Sequence, residues 1–287
     1  MYINTKLTMN NKVSIIIPTY NAEKYIKETI DACLNQSYKH IEILVVDDCS
    51  TDGTVEILKS YGDKISLTVN KTNHGIIKNL NNMALGLESD FFIFLGHDDI
   101  LPTKHIEIMV GEFDNDIVAV HCNSTVIDGD GKEVRIAGDD DIQKKKTNNC
   151  MLELSIGNFI SSCGMLHKTD IFNKLNGLDE QYKHYGEWLF YIRELKYGNI
   201  KYTTKTRAFY RRHGTNITNT FKDKNVKKGL YKYFSMCRKT AYRRCKYSIK
   251  EWIRFHLTTL KFFINKSTIV IKLKLILKKR NLKVVKL

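Results

Sequence analysis

Two pairs of adjacent acids stand directly behind apolar runs in this chain: Asp47-Asp48 after residues 41–46, and Asp98-Asp99 after residues 91–95. In a sheet of parallel strands, ligands gather outside the carboxyl ends of the strands, so such an arrangement would deliver four carboxylates to one crevice. That density of charge calls for a divalent cation or for partner donors. Hard carboxylate oxygens suit Mg²⁺ or Mn²⁺, which bridge a protein carboxylate to substrate phosphates. Asp47 taken alone reads as a cap or turn former, whereas Asp98 and Asp99, placed behind Phe91-Phe92-Ile93-Phe94-Leu95, read as a site. Other strand ends carry Pro18-Thr19-Tyr20-Asn21 and Asn73-His74-Gly75, and Arg211-Arg212-His213 follows the last strand-like run. Guanidinium groups pair well with phosphate oxygens. Neither G-x-G-x-x-G nor G-x-x-x-x-G-K-[ST] occurs, which excludes a dinucleotide turn and a P-loop. A metal or the late arginines would have to hold any phosphate.

The elements that must position these residues follow from hydrophobic period. Residues 13–17, 41–46, 65–69 and 91–95 read as strands, and the segments 23–36, 53–60 and 76–87 between them have helical spacing. Strand and helix in alternation predict an α/β fold with a parallel sheet. Further along, 103–113 reads as a helix, 117–121 and 123–127 as strands, and Asp128-Gly129-Asp130-Gly131 as the turn of a hairpin leading to Val134. Residues 138–149, with three Asp followed by three Lys, are expected to form a mobile loop. Segments 150–172 and 188–197 have core-like composition, and 202–210 is a last candidate strand.

Taken in order, Ile15-Ile16-Ile17-Pro18-Thr19-Tyr20-Asn21, Val45-Val46-Asp47-Asp48-Cys49-Ser50, Asn73-His74-Gly75 and Phe94-Leu95-Gly96-His97-Asp98-Asp99 closely resemble the family-2 glycosyltransferases of the GT-A fold. Weaker likeness continues through Leu175 to Glu180, Gly186-Glu187-Trp188 and Tyr210 to His213, about the first 217 residues in all. The resemblance implies an inverting sugar transfer from a nucleotide-diphosphate sugar, with a uridine diphosphate donor and Mn²⁺ or Mg²⁺. It places Pro18, Tyr20 and Asp48 around the base, Tyr20 against its face and Asp48 at its edge. Asp98 would face the ribose and phosphates, Asp99 would ligate the metal with His213, and Arg211 or Arg212 would stabilise the leaving diphosphate. Glu187 falls at the catalytic base. Two positions depart from the family pattern: Gly96 replaces the first Asp of D-x-D, and Gly186-Glu187 replaces a Glu-Asp pair. Asp179 and Glu180 are the alternative bases, and His97 reads as a positioning residue.

Charge divides the chain in two. Of its net +15, residues 221–287 carry 21 Lys+Arg against 2 Asp+Glu, while residues 1–220 are slightly acidic. The sequence therefore predicts a catalytic domain over 1–220 and a basic amphipathic helical tail over 221–287. In the tail Ile249, Trp252, Ile253, Leu257, Leu260 and Ile264 recur at helical spacing, with Lys250, Arg254 and Lys261 on the other side. Such a stripe either lies on an anionic membrane surface, through residues 245–287, or packs on the catalytic domain. The first residues lack the apolar core of a secretory signal, and no run of about 18 apolar residues occurs. Seven scattered cysteines without C-x-x-C argue against a disulfide framework or zinc site. The expected location is cytoplasmic, peripheral on the inner face of the membrane, and the expected acceptor a glycan or lipid-linked glycan of bacterial surface polysaccharide. Two rivals remain from other classes: a catalytically silent nucleotide-sugar binder, and a nucleic-acid-binding protein using the tail. The acidic crevice argues against nucleic acid as a partner.

Overall fold

The structure is a computed structural model that describes residues 11–182, 186–216, 224–245 and 248–263. Its centre is an eight-stranded sheet in the order β3-β2-β1-β4-β7-β5-β6, with β8 paired to β5 off that path. The first half is the parallel α/β unit foreseen from periodicity. β1 (Val13–Thr19), β2 (Ile41–Asp47), β3 (Ser66–Val69) and β4 (Phe91–Phe94) alternate with α1 (Ile26–Leu34), α2 (Thr54–Lys59) and α3 (Ile76–Ala84). β1 pairs in parallel with both β2 and β4, so it lies between the two strands that carry the acidic pairs. Helices cover both faces of the central strands, which is why β1 and β4 read as continuous apolar runs rather than alternating ones.

After α4 (His105–Gly111) the sheet changes character. β5 (Ile117–Ile127) is one long strand where the sequence suggested two. It turns through Asp128 to Gly131 into antiparallel β6 (Glu133–Ile136), with Gly131 at φ +84, a left-handed position that glycine adopts without strain. The three-residue β7 (Leu166–Lys168) is antiparallel to both β4 and β5 and joins the two halves. β8 (Asn199–Arg211) returns parallel to β5. The segment expected to be a mobile loop instead forms α5 (Asp140–Thr147). Asp139 caps it by accepting the Ile142 N–H at 2.9 Å, Asp140 and Asp141 lie in its first turn and Lys144 to Lys146 in its last. Cap and macrodipole thus supply what the missing apolar stripe does not.

Two cores lie on opposite faces of the sheet. One gathers Ile15, Ile17, Ile26, Ile30 and Val45. The other gathers Phe92, Leu80, Phe172 and Trp188 with α6 (Cys150–Ile156), α7 (Thr169–Lys174) and α8 (Glu187–Glu194), and also with Tyr233, Cys237 and Ala241 of α9 (Lys224–Tyr242). The boundary expected at 220/221 therefore does not coincide with an edge of the core. The Tyr233 hydroxyl oxygen accepts the Leu189 N–H at 3.0 Å, and Arg238 is buried with its Nε on the Ser155 carbonyl at 3.1 Å. Among the described residues, α9 of the basic segment is part of this core, and α10 (Ile249–Phe263) packs against its outside through Phe255 and the Arg254–Glu153 ion pair.

Candidate active site

Both β1 and β2 leave the sheet through non-glycine residues in the left-handed region, Asn21 (φ 48) and Cys49 (φ 71). Asn21 Oδ1 accepts the Thr51 N–H and Asn21 N–H donates to Ser50 Oγ, both at 2.9 Å, so the two turns hold each other. Asp47 is fully buried and takes the Ser50 N–H and hydroxyl, the turn-forming role read from its context. Tyr20, 47% exposed, stands at this edge. Asp48 follows β2 beside it, its N–H donating to the Thr19 carbonyl at 2.9 Å. The Asp48 carboxylate accepts the His74 and Gly75 N–H groups at 2.8 and 2.9 Å and the Asn70 amide at 3.0 Å. Burial pushes its pKa up, but the donors of Asn79, His74, Asn70 and Gly75 outweigh burial and hold it below the usual carboxylate range. Asp48 thus shapes the Asn73-His74-Gly75 turn that opens α3, a task the sequence did not reveal.

Across β1, His97 reaches the Pro18 carbonyl with Nδ1 at 3.4 Å, and Thr29 on α1 donates to the carbonyls of His97 and Asp99 at 2.9 Å. Asp98 and Asp99 then diverge. Asp98 Oδ2 meets His213 Nε2 at 2.8 Å and accepts the Asn216 amide at 2.9 Å. Asp99 turns inward, where its Oδ1 accepts the Arg211 N–H at 3.0 Å. Burial and the neighbouring Asp98 charge push the Asp99 pKa up. The acid that faces His213 is therefore Asp98, not the Asp99 expected from the sequence.

Arg211 also departs from expectation. It is 1% exposed and all of its donors face protein: Nε the Asp98 carbonyl at 3.0 Å, Nη1 the Asp128 carbonyl at 3.3 Å and Nη2 the Glu28 carboxylate at 2.5 Å. Its guanidinium lies 4.9 Å from the Tyr25 ring centroid, and that ring lies 4.6 Å from His213. Arg211 braces the wall of the site, buried with each guanidinium nitrogen on a protein acceptor. Arg212 is exposed, with its N–H on the Ile127 carbonyl at 2.8 Å. A cleft of about 430 Å³ opens beside His213, with Asn21, Lys24, Tyr25, His97 and Asp130 among its walls; Asp98, the partner of His213, is not among the residues that line it. Lys24, Tyr25 and Asn216 escaped the sequence reading. Lys24 and Tyr25 looked like the start of an ordinary amphipathic helix, and only the three-residue spacing from His213 could have marked Asn216.

Comparison with known proteins matches this architecture. The model of glycosyl transferase family 2 covers residues 14–172, more than half of the chain. The chain belongs to that family. An uncharacterized glycosyltransferase of Rickettsia typhi is 32% identical over 216 residues, which cover 74% of this chain and 68% of the relative. Among solved structures, Staphylococcus aureus TarS 1-349 in complex with UDP-GlcNAc superposes with a TM-score of 0.63 at 21% identity, over 88% of this glycosyltransferase and 71% of that chain. The mannosyltransferase PcManGT from Pyrobaculum calidifontis, in complex with GDP-Man and Mn²⁺, gives 0.52 at 14% identity, over 90% of this chain and 82% of the other. At these identities the likeness is one of fold, and the fold is GT-A.

Glu187 begins α8 of the glycosyltransferase, and its carboxylate accepts the Gly186 N–H at 3.3 Å. Burial raises its pKa above the usual carboxylate range, against the pull of the backbone donors of Glu187 and Gly186. A Cβ at Gly186 would sit 3.3 Å from Ile77 Cδ1 and 3.4 Å from Leu178 Cβ, so the start of α8 is pressed against the start of α3, beyond the turn that Asp48 organises. The two alternative bases are engaged elsewhere: Asp179 accepts from Gln181, and Glu180 accepts the Asn81 amide at 3.2 Å. Gly96 has a reason of its own. A Cβ there would lie 2.9 Å from both Asp98 Oδ1 and Asp99 Oδ2, closer than real contacts allow, so the two carboxylates occupy the space that a side chain would need.

The divalent cation implied by the fold family can be tested against these donors. Among the described residues no three His, Cys, Asp or Glu side chains converge on one point. One carboxylate oxygen and one imidazole nitrogen do meet, in Asp98 and His213, and His213 lines the cleft. Two protein ligands fit an octahedral ion that completes its shell with water and substrate phosphates. Such an ion would be held weakly by the glycosyltransferase alone.

Proposed function

We propose that this glycosyltransferase moves a sugar from a nucleotide-diphosphate sugar, a uridine diphosphate donor, to a hydroxyl of a glycan or lipid-linked glycan, with inversion at C1. The observation that carries the reading is the Asp98–His213 pair at 2.8 Å on the same sheet edge as exposed Tyr20 and the Asp48 turn, one strand away on either side of β1. In this reading Tyr20 stacks on the base, Pro18 and the Asp48 turn frame it, and Asp98 with His213 forms the protein's share of a Mn²⁺ or Mg²⁺ site. The UDP-GlcNAc seen with TarS and the Mn²⁺ seen with PcManGT support that orientation of roles.

Glu187 takes the proton from the acceptor hydroxyl as the oxygen bonds to C1 of the donor sugar, and the bond from C1 to the diphosphate oxygen breaks on the opposite side. Its raised pKa brings it closer to the range in which a general base works near neutrality. A divalent cation bound at Asp98 and His213 would offset the charge that gathers on the leaving diphosphate. Of the two arginines expected to stabilise the diphosphate, exposed Arg212 keeps that role, and Lys24, on the wall of the cleft, joins it in place of the buried Arg211.

We further assign the acceptor to surface polysaccharide synthesis at the cytoplasmic face of the membrane, on the basis of the family and of the basic C-terminal segment. Thermal unfolding with a panel of nucleotide sugars, with and without Mn²⁺, tests the donor half. A UDP-sugar should raise Tm and raise it further with Mn²⁺, while Mn²⁺ alone shifts it little. No shift with any sugar nucleotide would refute the reading.

A further inference from the structure

The helix α10 turns the wrong way for a packing helix. Its contact with the body is made by Phe255, buried against Tyr242 at 4.3 Å between ring centroids and beneath Arg238 at 4.8 Å, and by Arg254, whose two guanidinium nitrogens meet Glu153 at 2.6 and 2.9 Å. Ile253 lies roughly 160° around the helix from Phe255, at about 100° per residue, and is exposed to 45%. Trp252 is exposed to 47%, its ring against His256 at 4.2 Å. Ile253 therefore points away from the packed side and Trp252 stands exposed at its flank, while Arg254, on the cationic side of the sequence pattern, is the residue that grips the body.

Charge says what covers that face. The described chain ends beside it at Phe263, and the 24 residues after it, 264–287, contain eight Lys and Arg and no acid, interspersed with Ile, Leu and Val. Residues 221–287 as a whole carry +19. A helix that met only phosphates would have no use for exposed Trp and Ile, and a helix that met only apolar protein would have no use for that charge. Amphipathic helices with tryptophan on one side and lysine nearby lie in the interface of anionic bilayers. Among the described residues no helix is long and apolar enough to cross one.

We infer that α10 docks on an anionic lipid surface, with Trp252 and Ile253 entering the headgroup boundary and the following basic residues attracting the acidic lipids, while Phe255 and Arg254 tie the catalytic body to that surface. The inference stands on α10 and the charge behind it, and does not rest on the donor or acceptor assigned above.

The full chain should float with vesicles of phosphatidylglycerol and phosphatidylcholine and stay in the pellet fraction with phosphatidylcholine alone. W252E/I253E should lower the partition coefficient about tenfold or more. Both side chains are exposed, so thermal unfolding and transfer to a water-soluble acceptor should match the unsubstituted chain. High salt should weaken binding of both proteins. Equal flotation of W252E/I253E and the parent, or flotation indifferent to the acidic lipid, would overturn the inference. Tighter binding to a single-stranded polynucleotide than to the acidic vesicles would also overturn it, in favour of nucleic acid as the occupant.

Discussion

At the scale of single residues, the sequence revealed which side chains reach the sheet edge but not which way each one turns. Asp98 and Asp99 are neighbours of one type, and nothing in their order tells that one meets His213 while the other receives the Arg211 N–H. That difference depends on β8, more than a hundred residues away. Arg211 was legible as a conspicuous cation and illegible as a brace for the same reason. G96D, which restores the acid of the family pattern, should lower both activity and Tm, since even a Cβ collides with two carboxylate oxygens at 2.9 Å. Overpacking of this kind costs about 1–3 kcal/mol, measurable by urea unfolding. R211M keeps the backbone N–H on Asp99 but leaves the Asp98 and Asp128 carbonyls and the Glu28 carboxylate without their guanidinium donors, and should destabilise by about 1–3 kcal/mol in the same assay. For Glu187, E187Q should reduce kcat by about 10²–10⁴ while leaving the donor-induced Tm shift intact. Because burial raises its pKa, the acid limb of kcat/KM against pH should fall at a midpoint above the usual glutamate value, with activity present above that midpoint and lost below it.

Elements were read best where hydrophobic period carried the signal. β1, β2 and β4 fall within two residues of their expected limits because both of their faces are buried. α5 was missed because its stability comes from a cap and from charges at its two ends, which leave no stripe. D139A should therefore loosen α5 by about 1 kcal/mol, visible as faster amide exchange over residues 140–147 with little change elsewhere. α9 was assigned to the tail because its lysines dominate the composition, while its buried Tyr233, Cys237 and Ala241 are spaced by four residues and hidden among them. A chain cut after residue 220 should expose the Trp188 and Leu189 side of the second core and fail to give a cooperative melt.

For the molecule as a whole, acid is the expected weakness. His105 is fully buried, with its ring nitrogens on Thr206 Oγ1 and the Gly164 carbonyl, and burial lowers its pKa to about 4; His121, also buried, falls to about 3. Both titrate lower in the folded than in the unfolded chain, so their contribution is complete above the ordinary histidine value and is lost as pH falls toward 4. Tm should decline steeply between pH 6.5 and 4, and H105Q should flatten that decline. The sheet itself has a narrow waist. Three residues of β7 are the strand that links the parallel half, β1 to β4, to the half built on β5, β6 and β8. The isolated Ile100–Phe209 bridge adds one tie at the edge. With so few backbone bonds across the joint, the angle between the halves is kept by the rings stacked over it: His167 between Phe92 at 5.2 Å and Tyr191 at 5.9 Å, with Phe190 at 5.4 Å. The mutual pitch of the two halves of the sheet is accordingly an aromatic property, and an aliphatic side chain at position 92 would re-angle one against the other while leaving the hydrogen-bond ladders of both untouched.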